Sequence, residues 1–128
     1  MKPRSSNPLR ALLGVAVLAL AGCATLQPTG IPVGDRIYPP KASTAPVLLF
    51  RDGALPARKF QPVAKLNVHI EKTFFIPSAF AEARPELENL ARKHGADAII
   101  QIEEKKSRLY ETFIYNVSGT AIVFTDNQ

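Results

Sequence analysis

Eleven uncharged, almost wholly apolar residues run from Ala11 to Ala21, too few for a membrane-spanning helix, which needs about twenty. Lys2, Arg4 and Arg10 precede the run with no acidic residue among them, and small residues follow it. A positive start, a short apolar centre and a small-residue exit make a secretory signal rather than an anchor. The positive end stays on the cytoplasmic side. Residues 1–22 are therefore predicted to leave the chain, and whatever folds begins after them. A total of 128 residues allows one domain and excludes a multidomain enzyme. The sixteen basic and eleven acidic residues give +5, but three of the basic ones belong to the signal; thirteen against eleven remain, a net of +2. Basicity is thus poor ground for nucleic-acid binding. Lys105, Lys106 and Arg108 are also offset by Glu103, Glu104 and Glu111.

The apolar run closes on Leu20-Ala21-Gly22-Cys23, which resembles the lipobox of bacterial lipoproteins in residues and in distance from the basic end. The residue types suit that chemistry. The Cys23 thiol is the nucleophile that accepts a diacylglycerol as a thioether, and Ala21 and Gly22 leave the backbone open to a peptidase. By the resemblance, Leu20, Ala21 and Gly22 are signal-peptidase recognition residues, and the freed amine of Cys23 is acylated as well, commonly with palmitate. Two or three chains, at about 0.8 kcal/mol per buried CH₂, hold a protein far more firmly than one. The alternative for Cys23 is a small buried hydrophobe. It is the chain's one cysteine, which excludes an internal disulfide framework and any multi-cysteine zinc site. By the sorting rule of enteric bacteria, Ala24 in place of Asp after the cysteine implies the outer membrane.

From Ala24 to Pro62 the chain carries Pro28, Pro32, Pro39, Pro40, Pro46, Pro56 and Pro62. Proline fixes φ and removes a donor, so residues 23–45 read as a lipidated N-terminus and extended linker. At about 3.1 Å per residue it would hold a domain about 60 Å from the membrane. The domain, 46–128, opens on the short apolar strand Val47-Leu48-Leu49-Phe50, turned by Arg51-Asp52-Gly53. From Val63 to Glu71 apolar and polar residues alternate: Ala64, Leu66, Val68 and Ile70 share one face, and Val63, Lys65, Asn67, His69 and Glu71 the other. Ile76-Pro77-Ser78 breaks the strand, and Ser78 is a candidate helix cap. Phe80, Ala83, Leu87, Leu90, Ala91 and His94 then recur at helical spacing. Pro85 either kinks this helix or marks a later start near Arg84. Gly95 suits a left-handed end. Ala96 to Ile102 is the next strand, with Ala98, Ile100 and Ile102 on one face. Glu103 to Arg108 reads as a polar hairpin tip and Leu109 to Phe124 as the return strand, where Gly119 is a candidate bulge. The expected order is β-β-α-β-β, one helix on a small, mainly antiparallel sheet of the α+β class.

The proline-containing approach Ala54-Leu55-Pro56-Ala57-Arg58-Lys59-Phe60-Gln61-Pro62, the helix end Gly95-Ala96-Asp97-Ala98-Ile99-Ile100 and the strand Ser118-Gly119-Thr120-Ala121-Ile122-Val123 occur together. The combination resembles the small β-β-α-β-β domain of bacterial envelope lipoproteins, and is distantly similar to the Rcs stress-sensor lipoprotein RcsF and to the YbjQ family, once labelled heavy-metal-binding. The resemblance covers roughly Val47 to Phe124 and implies a fold more than a function. The stress sensor is built around cysteine pairs; this domain has none, so a disulfide-dependent role does not carry over.

No set of residues predicts catalysis. There is no G-x-S-x-G elbow, phosphate-binding glycine loop or H-E-x-x-H. Glu103 and Glu104 are adjacent and would point to opposite faces of a strand. His69, His94 and scattered carboxylates make no converging metal set. The surface expected opposite the helix carries Val63, Ile99, Tyr110 and Ile114 beside Lys65, His69 and Gln101, a mixed face suited to a protein partner. The expectation is a lipoprotein with a non-catalytic binding, envelope-sensing or assembly role. It carries no cofactor beyond the lipid on Cys23, docks to another envelope protein or a second copy, and takes no nucleic acid. The alternative is an anchored small-ligand or metal-binding domain.

Overall fold

The structure, a computed structural model, describes residues 24–73 and 77–126. The expected signal peptide, Cys23 and Ile76 lie outside those residues. The elements are β1 (Ala24–Pro32), β2 (Leu48–Leu49), β3 (Phe60–Lys72), α1 (Phe80–Lys93), β4 (Ala98–Leu109) and β5 (Thr112–Phe124). They make a five-stranded sheet of order β1-β3-β5-β4-β2, antiparallel except for the short β2–β4 pair. The α+β class is as expected. The order is not, because a strand precedes the expected β-β-α-β-β set.

That strand is the segment expected to be a linker. β1 pairs with β3 over its whole length, from Ala24 opposite Lys72 to Pro32 opposite Ala64. Its prolines are tolerated for a geometric reason. Val33 N–H donates to Val63 O at 2.9 Å, so odd-numbered amides point at β3. Pro28 and Pro32 are even-numbered, and their missing N–H groups would have faced outward from an edge strand. The rest of the supposed tether is also fastened down. Lys41 pairs with Asp97, its backbone N–H reaches Arg92 O at 2.9 Å, and Arg92 Nε donates to Ala45 O at 2.8 Å. A 60 Å spacer between residue 23 and the domain is excluded by this packing.

β3 keeps the alternation read from its sequence: Ala64, Leu66, Val68 and Ile70 are buried under α1. Pro62 sits at a register shift between Pro62 and Ala64. α1 starts at Phe80 and takes Pro85 inside it, so Pro85 does not mark a later start. Ser78 is not the cap. The N-cap is Ala79, whose N–H donates to Glu82 Oε1 at 3.2 Å, and Ser78 is buried. Lys72 also bonds the Glu82 carboxylate at 2.7 Å. That bond, with the Ala79 amide as a further aid, holds the Glu82 pKa below the usual carboxylate range. At the other end Gly95 N–H reaches Arg92 O and Ala96 N–H reaches Ala91 O, a Schellman closure with Gly95 at φ 69°.

Two expectations about the β4–β5 hairpin fail together. The polar stretch Glu103–Arg108 is strand rather than tip, and the turn is Tyr110–Glu111, with Tyr110 at φ 55°. The bulge lies in β4, between Ile100 and Glu103, where Gln101 adopts φ 52°. Gly119 sits in regular register opposite Leu66. Its role is close approach: a Cβ there would lie 2.7 Å from Ile99 Cγ2. Ile99 consequently belongs to the core under α1, and Ile102 packs against the same core across the bulge. Ala98 and Ile100 join Ile122 in a smaller cluster with Phe50, Phe60 and Phe124.

Candidate functional site

The sheet face away from α1 brings together only part of the expected docking surface. Val63 and Ile99 are removed from it, at 4% and 0% exposure. Tyr110 stands apart on the hairpin turn. Lys65, His69, Gln101 and half-buried Ile114 do share the open face. Lys65 Nζ donates to Thr120 Oγ1 at 3.0 Å, and Thr120 donates to Gln101 Oε1 at 3.1 Å. Opposite residues of an antiparallel pair share a face, so Gln27 and Thr29 of β1 join His69 and Asn67, and Asn116 and Ser118 of β5 continue the row. The surface is mixed: exposed Ile31, opposite Lys65, and half-buried Ile114 lie among the polar side chains. The left-handed turn at Gln101 shapes a hollow of about 480 Å³ lined by Lys65, Gln101, Glu103, Ser118, Thr120 and Gly53, among others.

Among the described residues, His69 is a strongly organised titrating group on this face. Its Nε2 lies 2.9 Å from Glu71 Oε1 and its Nδ1 2.8 Å from Asn116 Oδ1. Asn67 Nδ2 also donates to that amide oxygen, at 3.4 Å. Both ring nitrogens thus meet acceptors, an environment only the doubly protonated imidazolium satisfies. The Glu71 bond first, then Asn116, raise the pKa above the ordinary 6.5, against a smaller opposing effect of burial. A raised folded pKa adds stability that is complete below the unfolded value and disappears as pH climbs through the folded one. The melting temperature should therefore fall as the pH rises above 6.5. His69→Gln should flatten that slope. An unchanged slope in the variant would assign it to another group.

A second feature is not among the expectations from sequence. A cleft of about 570 Å³ opens between the start of α1 and the β4–β5 hairpin, lined among others by Pro77, Ser78, Lys106, Arg108, Phe113 and Tyr115. Lys106 lies opposite Tyr115 and Arg108 opposite Phe113. Each cation stands near its partner's ring, at 5.7 and 5.3 Å from the centroids. Tyr115 is 2% exposed, and its hydroxyl donates to Glu104, which also holds Arg51 at 2.7 Å. Burial first, then Glu104, push the Tyr115 pKa far above its ordinary value. Ser78 Oγ is buried and finds no partner among the described residues. The signal is present as Lys106-Ser107-Arg108 and Phe113-Ile114-Tyr115 about a two-residue turn. A turn placed several residues too early hides it.

Among the described residues no three His, Cys, Asp or Glu side chains cluster to hold a metal, and no helix is long and apolar enough to cross a membrane. No protein-family model and no curated protein matches the chain. Among solved structures, the crystal structure of a Francisella virulence factor, FvfA, is similar at a TM-score of 0.50 and 12% identity, over 76% of this chain and 98% of that one. At that identity the likeness is one of fold.

Proposed function

We propose that the chain is a bacterial lipoprotein, acylated on Cys23 and held on the periplasmic side of the outer membrane, with a non-catalytic binding, envelope-sensing or assembly role. The observation that carries it is the run Leu20-Ala21-Gly22-Cys23 after a basic, apolar leader. It agrees with the fold: the next residue, Ala24, is an exposed end of an edge strand, where a lipid would displace nothing from the core. The open face around Lys65, His69 and Gln101, with exposed Ile31 beside Lys65, is the surface offered to another envelope protein or to a second copy. Its row of Asn, Gln, Ser and Thr side chains suits hydrogen-bonded docking. The distant similarity to RcsF and YbjQ domains belongs to this proposal, without their cysteine or metal chemistry.

Cys23→Ser removes the thiol and leaves everything else. The variant should persist as an unprocessed precursor that incorporates no labelled palmitate, while the parent chain does incorporate it. Equal labelling of both would defeat the proposal.

The cleft favours one second reading, an anchored small-ligand domain. Its two rings, two cations and buried hydroxyl fit a small anionic or aromatic molecule. Such a ligand would raise the melting temperature of the parent more than that of Lys106→Ala.

A further inference from the structure

The strand that replaces the expected tether changes what the domain faces. β1 begins at Ala24, the residue that follows Cys23 in the sequence, so the proposed acylation site is one residue away from the end of the sheet. The register shows which end. Ala24 stands opposite Lys72, Lys72 opposite Phe113, and Phe113 opposite Arg108. The Tyr110–Glu111 turn closes two residues beyond Arg108, about 7 Å further out at the usual strand rise. The hairpin tip therefore projects past the end of the sheet that carries the acylation site.

The composition of that tip is unusual for a loop in water. Tyr110 is 87% exposed and Leu109 60% exposed, side by side. Lys105, Lys106 and Arg108 flank them, against Glu111 in the turn and Glu103 and Glu104 further back. A bare aromatic and a bare aliphatic side chain at a tip, with basic residues behind them and one carboxylate in the turn, suit the boundary between acyl chains and headgroups. Tyrosine has an apolar ring for the one side and a hydroxyl for the other.

We infer that the Leu109–Tyr110 tip is a second membrane contact: it enters the headgroup layer of an anionic phospholipid bilayer while the lipid on Cys23 holds the sheet end against that surface. The inference rests on acylation at Cys23 and adds a direct protein–lipid contact to it. Anchor and tip together fix the domain's orientation. The open face then stands across the membrane plane instead of lying on it, free to meet a neighbour.

The chain has no tryptophan, so Tyr110→Trp places a single depth probe at the tip. Ile37→Trp places one at the opposite end, beyond Pro32, at a side chain that is 93% exposed. Each mature, acylated variant is reconstituted in vesicles of phosphatidylethanolamine and phosphatidylglycerol with brominated acyl chains. The indole of Tyr110→Trp should shift its emission to the blue and lose intensity, and that of Ile37→Trp should do neither. Adding Leu109→Glu to the Tyr110→Trp chain should reverse most of the shift. Equal quenching in both variants, or none in Tyr110→Trp, overturns the inference. Intact mass on the same samples separates the two levels. Acyl increments with an unquenched indole in Tyr110→Trp remove the tip contact and leave the anchor standing, whereas absent increments remove both.

Discussion

Ile99→Glu should unfold the domain. Ile99 is 0% exposed in the core under α1, with its Cγ2 only 2.7 Å from where a side chain on Gly119 would begin. A carboxylate there would be cut off from water inside an apolar cluster. The cost is about 4 kcal/mol or more, against a total stability on the order of 5–15 kcal/mol for a domain. The far-ultraviolet circular dichroism of Ile99→Glu should be that of a largely unfolded chain at 25 °C, or its urea midpoint should collapse. Ile114→Glu is the contrast. Ile114 is half-buried on the open face, and that variant should keep the native spectrum. A native, cooperatively melting Ile99→Glu would show that Ile99 does not face the helix.

The second large effect is at Gly95, where two demands coincide. Its φ of 69° closes the end of α1, a conformation that costs other L-residues about 1–2 kcal/mol. A Cβ there would also lie 2.6 Å from Pro39 O and 2.7 Å from Tyr38 Cβ, so the strap from Val33 to Ala45 would have to move away. Gly95→Ala should lower stability by about 2–4 kcal/mol, strain and clash together. The damage should be local first: amide exchange at Lys41, whose N–H is held by Arg92 O, should accelerate well before exchange in β3 or β5. A loss below about 0.5 kcal/mol, the range of ordinary surface substitutions, would mean that residues 33–45 do not pack on the helix end.

What is legible in the sequence, and what is not, divides along a physical line. Alternation in β3 and helical spacing in α1 are local periodicities, and both elements appear where Val63–Glu71 and Phe80–His94 place them. β1 is hidden because Pro28 and Pro32 argue against a strand unless one knows which way their amides would point, and that depends on partners at Val68 and Ala64, more than thirty residues away. Ile99 is expected on the wrong face because the change of parity comes from Gln101 in a left-handed conformation, a state that residue types other than glycine and asparagine seldom signal. The visible candidate, Gly119, has a different task. The cleft is hidden for a related reason: moving the turn from Tyr110–Glu111 to Glu103–Arg108 separates Lys106 from Tyr115 and Arg108 from Phe113, although each pair is cross-strand. Of the face named for a partner, Lys65, His69 and Gln101 lie together because they are polar residues on strands whose other side is packed. Val63 and Ile99 are lost from it to a register shift at Pro62 and to the β4 bulge.

β1 changes what acylation at Cys23, as proposed, would mean for the domain more than it changes the case for it. With no spacer, lipid on residue 23 would set the domain directly on the bilayer, hairpin tip first, with its open face upright. The most direct test is the intact mass of the protein extracted from its own membranes. The expected result is a chain that starts at Cys23 and carries diacylglycerol plus an amide-linked acyl chain. A chain that still starts at Met1, with a bare thiol and no fatty-acid increment, would contradict it.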